Sequence, residues 1–389
     1  MLDWMYLFYF LLAILFFYGA KICGKGEWND EFTSLKQTKI LQGATVLMIS
    51  FHHMAQKTCA PWHERKFIIH GMDVFVPMGY MLCAVFLFCS SYGLYKSLKT
   101  KPGYLKHFVR RRIVPIAVAY YLSEFIYLIV RLLMGEKPGV SGILLYLTGL
   151  RMANFNTWYI IAILFFYFIF YLAFRFCKKD GPAILIVFAV TLLYTVLGAF
   201  IDHQDVWFMR GEWWYNSIIM FPLGLLFAKY EAKITAFLKK GYLFWLLLSF
   251  AGIFAAYQLS QVLNNGVCGY YGETWGDPLK VPHRLGSAAG EWLVCICYTA
   301  FNFLLLMKVR LGNRALMLLG GITLEYYLMH GVFVELFGFN FLDFTKSIVY
   351  IKNVPVYIAV VLACSLAAAV LFRLLWKSVM KLPVFRLKE

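Results

Sequence analysis

The chain has 389 residues, of which 62% are hydrophobic and only 15% are charged, and its formal net charge is +17. Such an apolar balance excludes an ordinary soluble protein, because the hydrophobic residues come in blocks long enough to cross a lipid bilayer. The positive charge lies in short segments between these blocks, which is typical of membrane topology and lipid headgroup contact and argues against a nucleic-acid partner.

Eleven apolar blocks follow one another along the chain. They lie near residues 3–20, 40–56, 74–95, 113–134, 157–174, 182–201, 216–228, 242–262, 291–307, 315–337 and 354–376. Lipid tolerates only helices and closed barrels, and these blocks lack the strict alternation of barrel strands. The sequence therefore predicts an all-α, polytopic transmembrane helical bundle of about eleven spans.

Basic residues mark one side of the predicted bundle. The segments 21–39, 96–112, 175–181, 229–241, 308–314 and 373–389 hold 26 of the 37 Lys and Arg residues. Acidic residues are more frequent in the alternate segments. Because cytoplasmic loops carry the excess of Lys and Arg, we expect the N-terminus outside and the C-terminus in the cytoplasm. Membrane lipids are then the first partners of the chain.

The first block is interpreted as a retained helix and not as a signal peptide. Asp3 stands where a signal peptide carries a positive charge, and the residues up to Ala20 form a poor cleavage site. Residues 1–39 are therefore expected to form an extra N-terminal transmembrane helix and a cytoplasmic linker. The main transmembrane domain would cover residues 40–389.

The second block carries two adjacent histidines near its end. On a helix, Gln42 and His53 fall within about 20° of each other and about 16 Å apart, with Lys39 on roughly the same face and His52 pointing away. Ionisable groups at membrane depth are costly, so a functional site is the first hypothesis for His53. The alternative is a buried histidine that binds a backbone carbonyl.

The third and fourth blocks are joined by the most basic part of the chain. Ser90, Ser91 and Gly93 either expose backbone amides to an anion or mark a helix end closed by glycine. Three consecutive arginines, Arg110, Arg111 and Arg112, follow; their guanidinium groups suit phosphate.

A mid-span carboxylate and two cysteines each allow a specific expectation. Glu124 lies in the middle of the fourth block and needs a partner, expected to be a His or Arg from another span. Cys59 and Cys268, in predicted outer loops, either pair or stay free thiols. Neither the cysteines nor the histidines show metal-ligand spacing, so no metal is expected.

The order of these motifs resembles acyltransferase family 3, membrane proteins that O-acylate cell-surface carbohydrates and related acceptors. The resemblance covers about Lys39 to Phe333. It rests on Gln42 with His52-His53, Ser90–Leu94, Phe108–Arg112, Trp158-Tyr159, Phe221–Gly224 and Leu319–His330. Gln42 departs from the family because a cation is expected there, and Lys39 can substitute by extending its side chain. Pro115 stands where a further arginine is common, and one helix is added in front of the family's usual ten.

The resemblance implies an acyltransferase that moves an acyl group, most simply acetyl, from cytoplasmic acyl-CoA to a hydroxyl of an exported carbohydrate or glycolipid. Its catalytic candidates are His53, His52, Glu325 and His330. The acyl-CoA would be held by residues on the basic side, namely Lys39, Gln42, Ser91, Tyr92, Arg110, Arg111 and Arg112. A bacterial cytoplasmic membrane is the implied location.

The acceptor is expected on the opposite side, where aromatic and acidic residues suit the C–H faces and hydroxyls of a sugar. The candidates are Trp158, Tyr159, Asp202, His203, Trp207 and Trp213. Membrane interfaces are rich in Trp and Tyr in any case, which is the simpler explanation for many of them.

Two questions stay open at this stage. Glu325 and His330 are five residues apart and face different ways, whereas Tyr326 and His330 share a face. Glu325 orients a histidine of the second span, belongs with the partners of Glu124 or lines a proton path. His53 acts either as a general base or as an acyl carrier.

The alternative function is a proton-coupled transporter of an anionic small molecule, with His53, Glu124 and Glu325 as proton relay.

Overall fold

A computed structural model describes residues 3–201, 214–268, 278–339 and 349–385. In this part of the chain it contains thirteen α-helices and one pair of two-residue strands. The helices are α1 Asp3–Phe17, α2 Leu35–Thr58, α3 Gly79–Thr100, α4 Val114–Leu133, α5 Val140–Leu147, α6 Trp158–Phe176, α7 Asp180–Phe200, α8 Met220–Lys240, α9 Tyr242–Val262, α10 Lys280–Lys308, α11 Arg314–Gly320, α12 Thr323–Phe337 and α13 Val354–Val379; the strands are β1 Lys21–Ile22 and β2 Val309–Arg310. The all-α prediction is confirmed.

The helices have the length and composition of membrane spans. Seven of them are long and apolar enough to cross a bilayer, and the bent pair of α11 and α12 makes an eighth candidate. The other three apolar blocks lie on α1, α2 and α8, which are shorter or more polar. Each of the eleven blocks thus lies on a helix or a helix pair, and the chain is an integral membrane protein.

One predicted span is broken. The block 315–337 consists of α11 and α12, which meet at an angle of 87°. Asn313 caps the start of α11 by accepting a hydrogen bond from the amide of Leu316, and the amide of Gly321 closes the other end through the carbonyls of α11. The bend therefore separates the basic segment before α11 from the histidine-bearing part of α12.

The chain forms two compact units. The first consists of Met1–Leu82, Pro115–Thr157 and Val309–Glu389, and the second of Cys83–Val114 and Trp158–Lys308. In the first unit α2 packs against α11, α12 and α13 around an apolar core that includes Phe51, Met54 and Val334.

The N-terminal residues belong to the first unit and do not form a separate body. The ring of Phe8 in α1 contacts the rings of Phe51 and Phe75. Strand β1 pairs antiparallel with β2, Lys21 opposite Arg310. Helix α1 is thus attached to the core through Phe8, and the strand that follows it is attached through its pairing with β2.

In the second unit, aromatic rings fill much of the space between helices. Phe88 of α3 contacts Phe227 of α8 and Phe303 of α10.

Across the described residues all nine cysteines are free thiols, Cys59 and Cys268 included, so the pairing considered from the sequence is not formed.

Candidate active site

Two histidines from distant parts of the chain meet in the first unit. His53 Nδ1 of α2 lies 2.7 Å from His330 Nε2 of α12. Their rings are parallel within 5°, with centroids 5.0 Å apart. His330 is fully buried and His53 is half-buried. The pair is therefore joined by a direct hydrogen bond in a protected place.

The partners of His330 decide where the protons lie. Its Nδ1 is 2.8 Å from the carbonyl oxygen of Tyr327 and 3.2 Å from that of Tyr326. A carbonyl oxygen only accepts, so a neutral His330 carries its proton on Nδ1 and its Nε2 accepts. His53 must then donate from Nδ1. This assignment, which follows from the partners, leaves a lone pair on His53 Nε2 that can accept a proton or attack a carbonyl carbon.

The adjacent His52 forms hydrogen bonds of its own, although its ring centroid lies 5.0 Å from that of His53. Its Nδ1 donates to the carbonyl oxygen of Phe75 at 2.9 Å. Its ring packs against Gly79, where an added Cβ would overlap the imidazole. The two neighbours on α2 thus form different hydrogen bonds, as expected for side chains that point in different directions on a helix, while their rings stay in contact.

The histidine pair is bordered along the helices by two polar contacts. Tyr326 stacks on His330 with its ring parallel within 5°, which confirms the predicted shared face, and receives a hydrogen bond from Ser50 at 3.1 Å. One turn beyond the histidines, Lys57 Nζ pairs with a carboxylate oxygen of Glu335 at 2.8 Å. An ion pair therefore lies at one side of the site and a tyrosine at the other.

Glu325 does not contact a histidine in the described structure. Its Oε1 accepts from Trp376 Nε1 at 3.1 Å and lies 3.9 Å from Arg373 Nε on α13. Two of the three expectations for Glu325, a partner histidine and the partners of Glu124, are not met. The physical reason is the bend before α12, which places Glu325 in the first turn of the helix, facing α13.

Lys39 and Gln42 lie on the same helix as His53, as predicted. Lys39 Nζ donates to the carbonyl oxygen of Gly320 at 3.1 Å. Gln42 is half-buried one turn further along α2. The ammonium group of Lys39 therefore sits at the end of α11.

Glu124 has partners of a kind that was not expected. Oε2 accepts from the backbone amide of Ala153 at 2.6 Å and from that of Asn154 at 3.4 Å, and Oε1 lies 2.8 Å from Thr157 Oγ1. The expected His or Arg partner was wrong, because the polypeptide after α5 turns back against α4 and offers its own amides.

The proposed anion-binding stretch of α3 is not a helix end. Since α3 continues to Thr100, the amides around Gly93 are used inside the helix, and both interpretations from the sequence were wrong on this point. Ser91 is buried and donates to the carbonyl oxygen of Phe88 at 3.1 Å. Tyr92 donates to Glu231 on α8 at 2.9 Å, and Lys96 pairs with the same carboxylate.

The three arginines lie on a π-helical turn, Val109–Ile113, that leads into α4. Arg110 is half-buried, Arg111 and Arg112 are exposed, and the Arg112 guanidinium lies 5.8 Å from the ring centroid of Tyr104. The buried Phe108 fixes the turn by packing on Phe170 and Tyr171. Turns of this kind are frequent at functional sites. At least two guanidinium groups are thus open to an anion.

A family model described as an acyltransferase domain matches residues 38–374. The chain belongs to acyltransferase family 3. The resemblance stated from the motifs is thereby confirmed over most of the chain, and the matched region begins beside Lys39. The comparisons with curated proteins and with solved structures found no significant match.

Only two of the six candidate acceptor-binding residues lie in the described part of the chain. Trp158 and Tyr159 are buried in the second unit, where Trp158 lies 6.1 Å from Trp214, centroid to centroid. Asp202, His203, Trp207 and Trp213 lie outside the described residues. In the described ranges, no group of three or more His, Cys, Asp or Glu side chains is placed to hold a metal ion.

Sequence reasoning named His330 but missed the groups that orient it. Tyr327, whose carbonyl accepts from His330, also donates its hydroxyl to the carbonyl oxygen of Asn156. Tyr327 and Asn156 are 171 residues apart, so spacing gives no sign of their contact. The one available signal was the position of Tyr327 one turn before His330.

Proposed function

We propose that this membrane acyltransferase takes an acyl group, most simply acetyl, from acyl-CoA and transfers it to a hydroxyl of an exported carbohydrate or glycolipid. The observation that carries the proposal is the His53–His330 pair. Its hydrogen bonds fix one histidine through backbone carbonyls and leave a lone pair on the other. A hydroxyl needs a base of this kind to attack a thioester.

In direct transfer, His53 Nε2 takes the proton of the acceptor hydroxyl while its oxygen bonds to the thioester carbonyl carbon. The carbon–sulfur bond then breaks, and the CoA thiolate leaves with the proton that His53 returns. His330 keeps the ring oriented and accepts from His53 Nδ1 throughout, which stabilises the imidazolium. In the acyl-carrier route, Nε2 itself bonds to the carbonyl carbon, and the carbon–sulfur bond breaks to release the CoA thiolate. In a second step the acceptor oxygen bonds to the same carbon, the bond to Nε2 breaks, and the hydroxyl proton passes through Nε2 to the thiolate.

The acyl donor is proposed to bind through its phosphates at Arg110, Arg111 and Arg112. Lys96 and Lys99 are less available, because each is paired with a carboxylate, Glu231 and Asp180 respectively. The charge distribution supports a cytoplasmic location for the arginines, with the N-terminus outside and the C-terminus inside. The implied setting is a bacterial cytoplasmic membrane.

Release of CoA thiol tests this function. The purified protein in lipid nanodiscs is given acetyl-CoA and, as acceptor, surface glycan of the source cells from which alkali has removed the O-acyl esters. We expect acceptor-dependent thiol release and ester formation on the glycan, both abolished in His53→Ala. Glycan esters that persist unchanged in cells carrying only His53→Ala would overturn the role of His53. A wild-type protein that consumes no acetyl-CoA but, in proteoliposomes, moves an anion across the bilayer would favour a transporter.

A further inference from the structure

A buried carboxyl group on α4 is connected to His330 by a short series of contacts. Glu124 is 4% exposed and holds the segment Ala153–Thr157 through two backbone amides and the Thr157 hydroxyl. No step of the mechanism above uses Glu124. A buried carboxyl with all its hydrogen bonds directed at one loop segment suggests that the position of this segment matters.

The same segment is fixed to α12, the helix that carries His330. The Tyr327 hydroxyl donates to the carbonyl oxygen of Asn156, and the Tyr327 carbonyl accepts from His330 Nδ1 at 2.8 Å. Tyr327 thus links the loop to the proton that sets the tautomer of His330.

The packing between loop and helix is close. An added Cβ on Gly331 would overlap the hydroxyl oxygen of Tyr127 and lie 3.1 Å from Asn156 Nδ2. The residue after His330 therefore has no side chain where α4 and the loop press against α12. A shift of the loop would be transmitted to the turn that contains Tyr327 and His330, because packed elements deform little.

The hydrogen bonds around Thr157 indicate a neutral carboxyl. Thr157 Oγ1 has one proton but lies 2.8 Å from Glu124 Oε1 and 2.6 Å from the carbonyl oxygen of Asn154. A carboxyl protonated on Oε1 satisfies both contacts, since it donates to Thr157, which in turn donates to Asn154. Oε2 remains free to accept from Ala153. A glutamine can reproduce this pattern, with its amide N–H in place of the carboxyl O–H.

From these contacts we propose that Glu124 is a positioning residue for His330, acting through the segment Ala153–Thr157 and Tyr327. It touches no reacting atom. It keeps Asn156 in place to receive the Tyr327 hydroxyl, and Tyr327 keeps the proton of His330 on Nδ1. His53 then retains its lone pair on Nε2. The inference rests on the proposed function of the histidine pair and adds a residue that supports it.

The kinetic test compares Glu124→Gln, Glu124→Ala, Tyr327→Phe and the double variant Glu124→Ala/Tyr327→Phe in the CoA-release assay. Glu124→Gln should keep wild-type kcat within about twofold, since it preserves the contacts. Glu124→Ala and Tyr327→Phe should each lower kcat by about tenfold or more with little change in KM for acetyl-CoA, because the base is misplaced and donor binding is not. The double variant should be no worse than the poorer single variant, because both act through one contact series.

Tyr9→Phe is a matched control, since it removes another tyrosine hydroxyl that donates to a loop carbonyl in the same unit, that of Gly71. It should lower thermal stability and leave kcat unchanged. If Glu124→Gln is as inactive as Glu124→Ala, the carboxyl acts through its charge or its proton, and the positioning role is wrong. If the effects of Glu124→Ala and Tyr327→Phe multiply in the double variant, the route through Tyr327 is wrong.

A second readout does not depend on the acceptor or on turnover. Nitrogen NMR of histidine-labelled protein should show His330 with a protonated Nδ1 in the wild type and in Glu124→Gln. In Glu124→Ala and Tyr327→Phe the two tautomers should mix. An unchanged His330 signal in both variants would overturn the inference. Loss of the inference alone would leave His53→Ala inactive, whereas failure of the proposed function would appear as an active His53→Ala.

Discussion

The ammonium group of Lys39 lies 3.1 Å from the carbonyl oxygen of Gly320, the last residue of α11. The carbonyls at the end of a helix lack partners within the helix and carry a partial negative charge. Lys39 therefore stabilises the end of α11 immediately before the bend that leads into α12. This contact gives the lysine a structural task beside the donor-binding role inferred from the family resemblance.

We expect Lys39→Ala to lower stability first, by about 1 kcal/mol, because it removes a cation and a hydrogen bond from a helix end. Gln42→Arg in the Lys39→Ala background separates the two roles. It restores a positive charge on the helix face that residues 39, 42 and 53 share, but it does not restore the hydrogen bond from Lys39 to the Gly320 carbonyl. Thermal unfolding in detergent and KM for acetyl-CoA are measured together. Restored KM with unrestored stability would support a donor-binding cation on this face, whereas an unchanged KM in Lys39→Ala would show that the lysine serves α11 alone.

The two adjacent histidines should behave differently. His53→Ala removes the group with the free lone pair, so kcat should fall by about 10³-fold or more while folding is nearly normal. His52→Ala should mainly lower stability, because it removes the hydrogen bond to the Phe75 carbonyl and leaves a void beside Gly79. Expression, thermal unfolding and kcat of both variants are the measurements. An inactive but stable His52→Ala together with an active His53→Ala would reverse the assignment.

The arginine turn should control the affinity for the donor. Replacing Arg111 or Arg110 by Gln should raise KM for acetyl-CoA by about tenfold and weaken its salt dependence, because a charge-assisted contact to phosphate is lost. Lys101→Gln is the control, since this side chain is exposed on the same basic segment. Lys99 is a poor control because its removal leaves Asp180 without its ion-pair partner. Equal, small effects at all positions would mean that the cluster serves topology only.

The helical content and the face of the second span could be predicted from the sequence. Hydrophobic blocks, most of them long enough to cross a bilayer, leave few alternatives to helices. A rotation of about 100° per residue aligns Lys39, Gln42 and His53 without further information. The different hydrogen-bond partners of His52 and His53 follow from the same rotation.

The errors arose where tertiary contacts override local signals. Gly93 ends no helix, because Phe88 and Ser91 of α3 pack closely against Gly224 of α8 and a glycine costs the continuing helix only about 1 kcal/mol. Glu124 accepts from the backbone amides of Ala153 and Asn154, 29 and 30 residues away. Because every residue type except proline has a backbone N–H, the side chains of alanine and asparagine give no sign of these contacts. The bend between α11 and α12 depends on caps at both ends of a seven-residue helix, which a hydropathy average does not detect.

Gly331 offers a test of the packing behind His330 that needs no activity assay. Its added Cβ would overlap the Tyr127 hydroxyl, so Gly331→Ala should destabilise the protein by about 1–3 kcal/mol. That hydroxyl is buried and has no hydrogen-bond partner in the described part of the chain. Tyr127→Phe should therefore be neutral or stabilising, since it removes a buried polar group that gains nothing in return.

The double variant Tyr127→Phe/Gly331→Ala tests whether this overlap causes the destabilisation. Removing the Tyr127 hydroxyl oxygen makes room for the alanine methyl group and should recover much of the lost stability. Gly93→Ala is the control: its Cβ meets nothing within 4 Å, so it should stabilise α3 by about 0.5–1 kcal/mol. Thermal unfolding of the four variants in detergent gives the comparison. If Gly331→Ala is as stable as the wild type, or if Tyr127→Phe fails to relieve it, the close contact of α4 with α12 beside His330 is wrong.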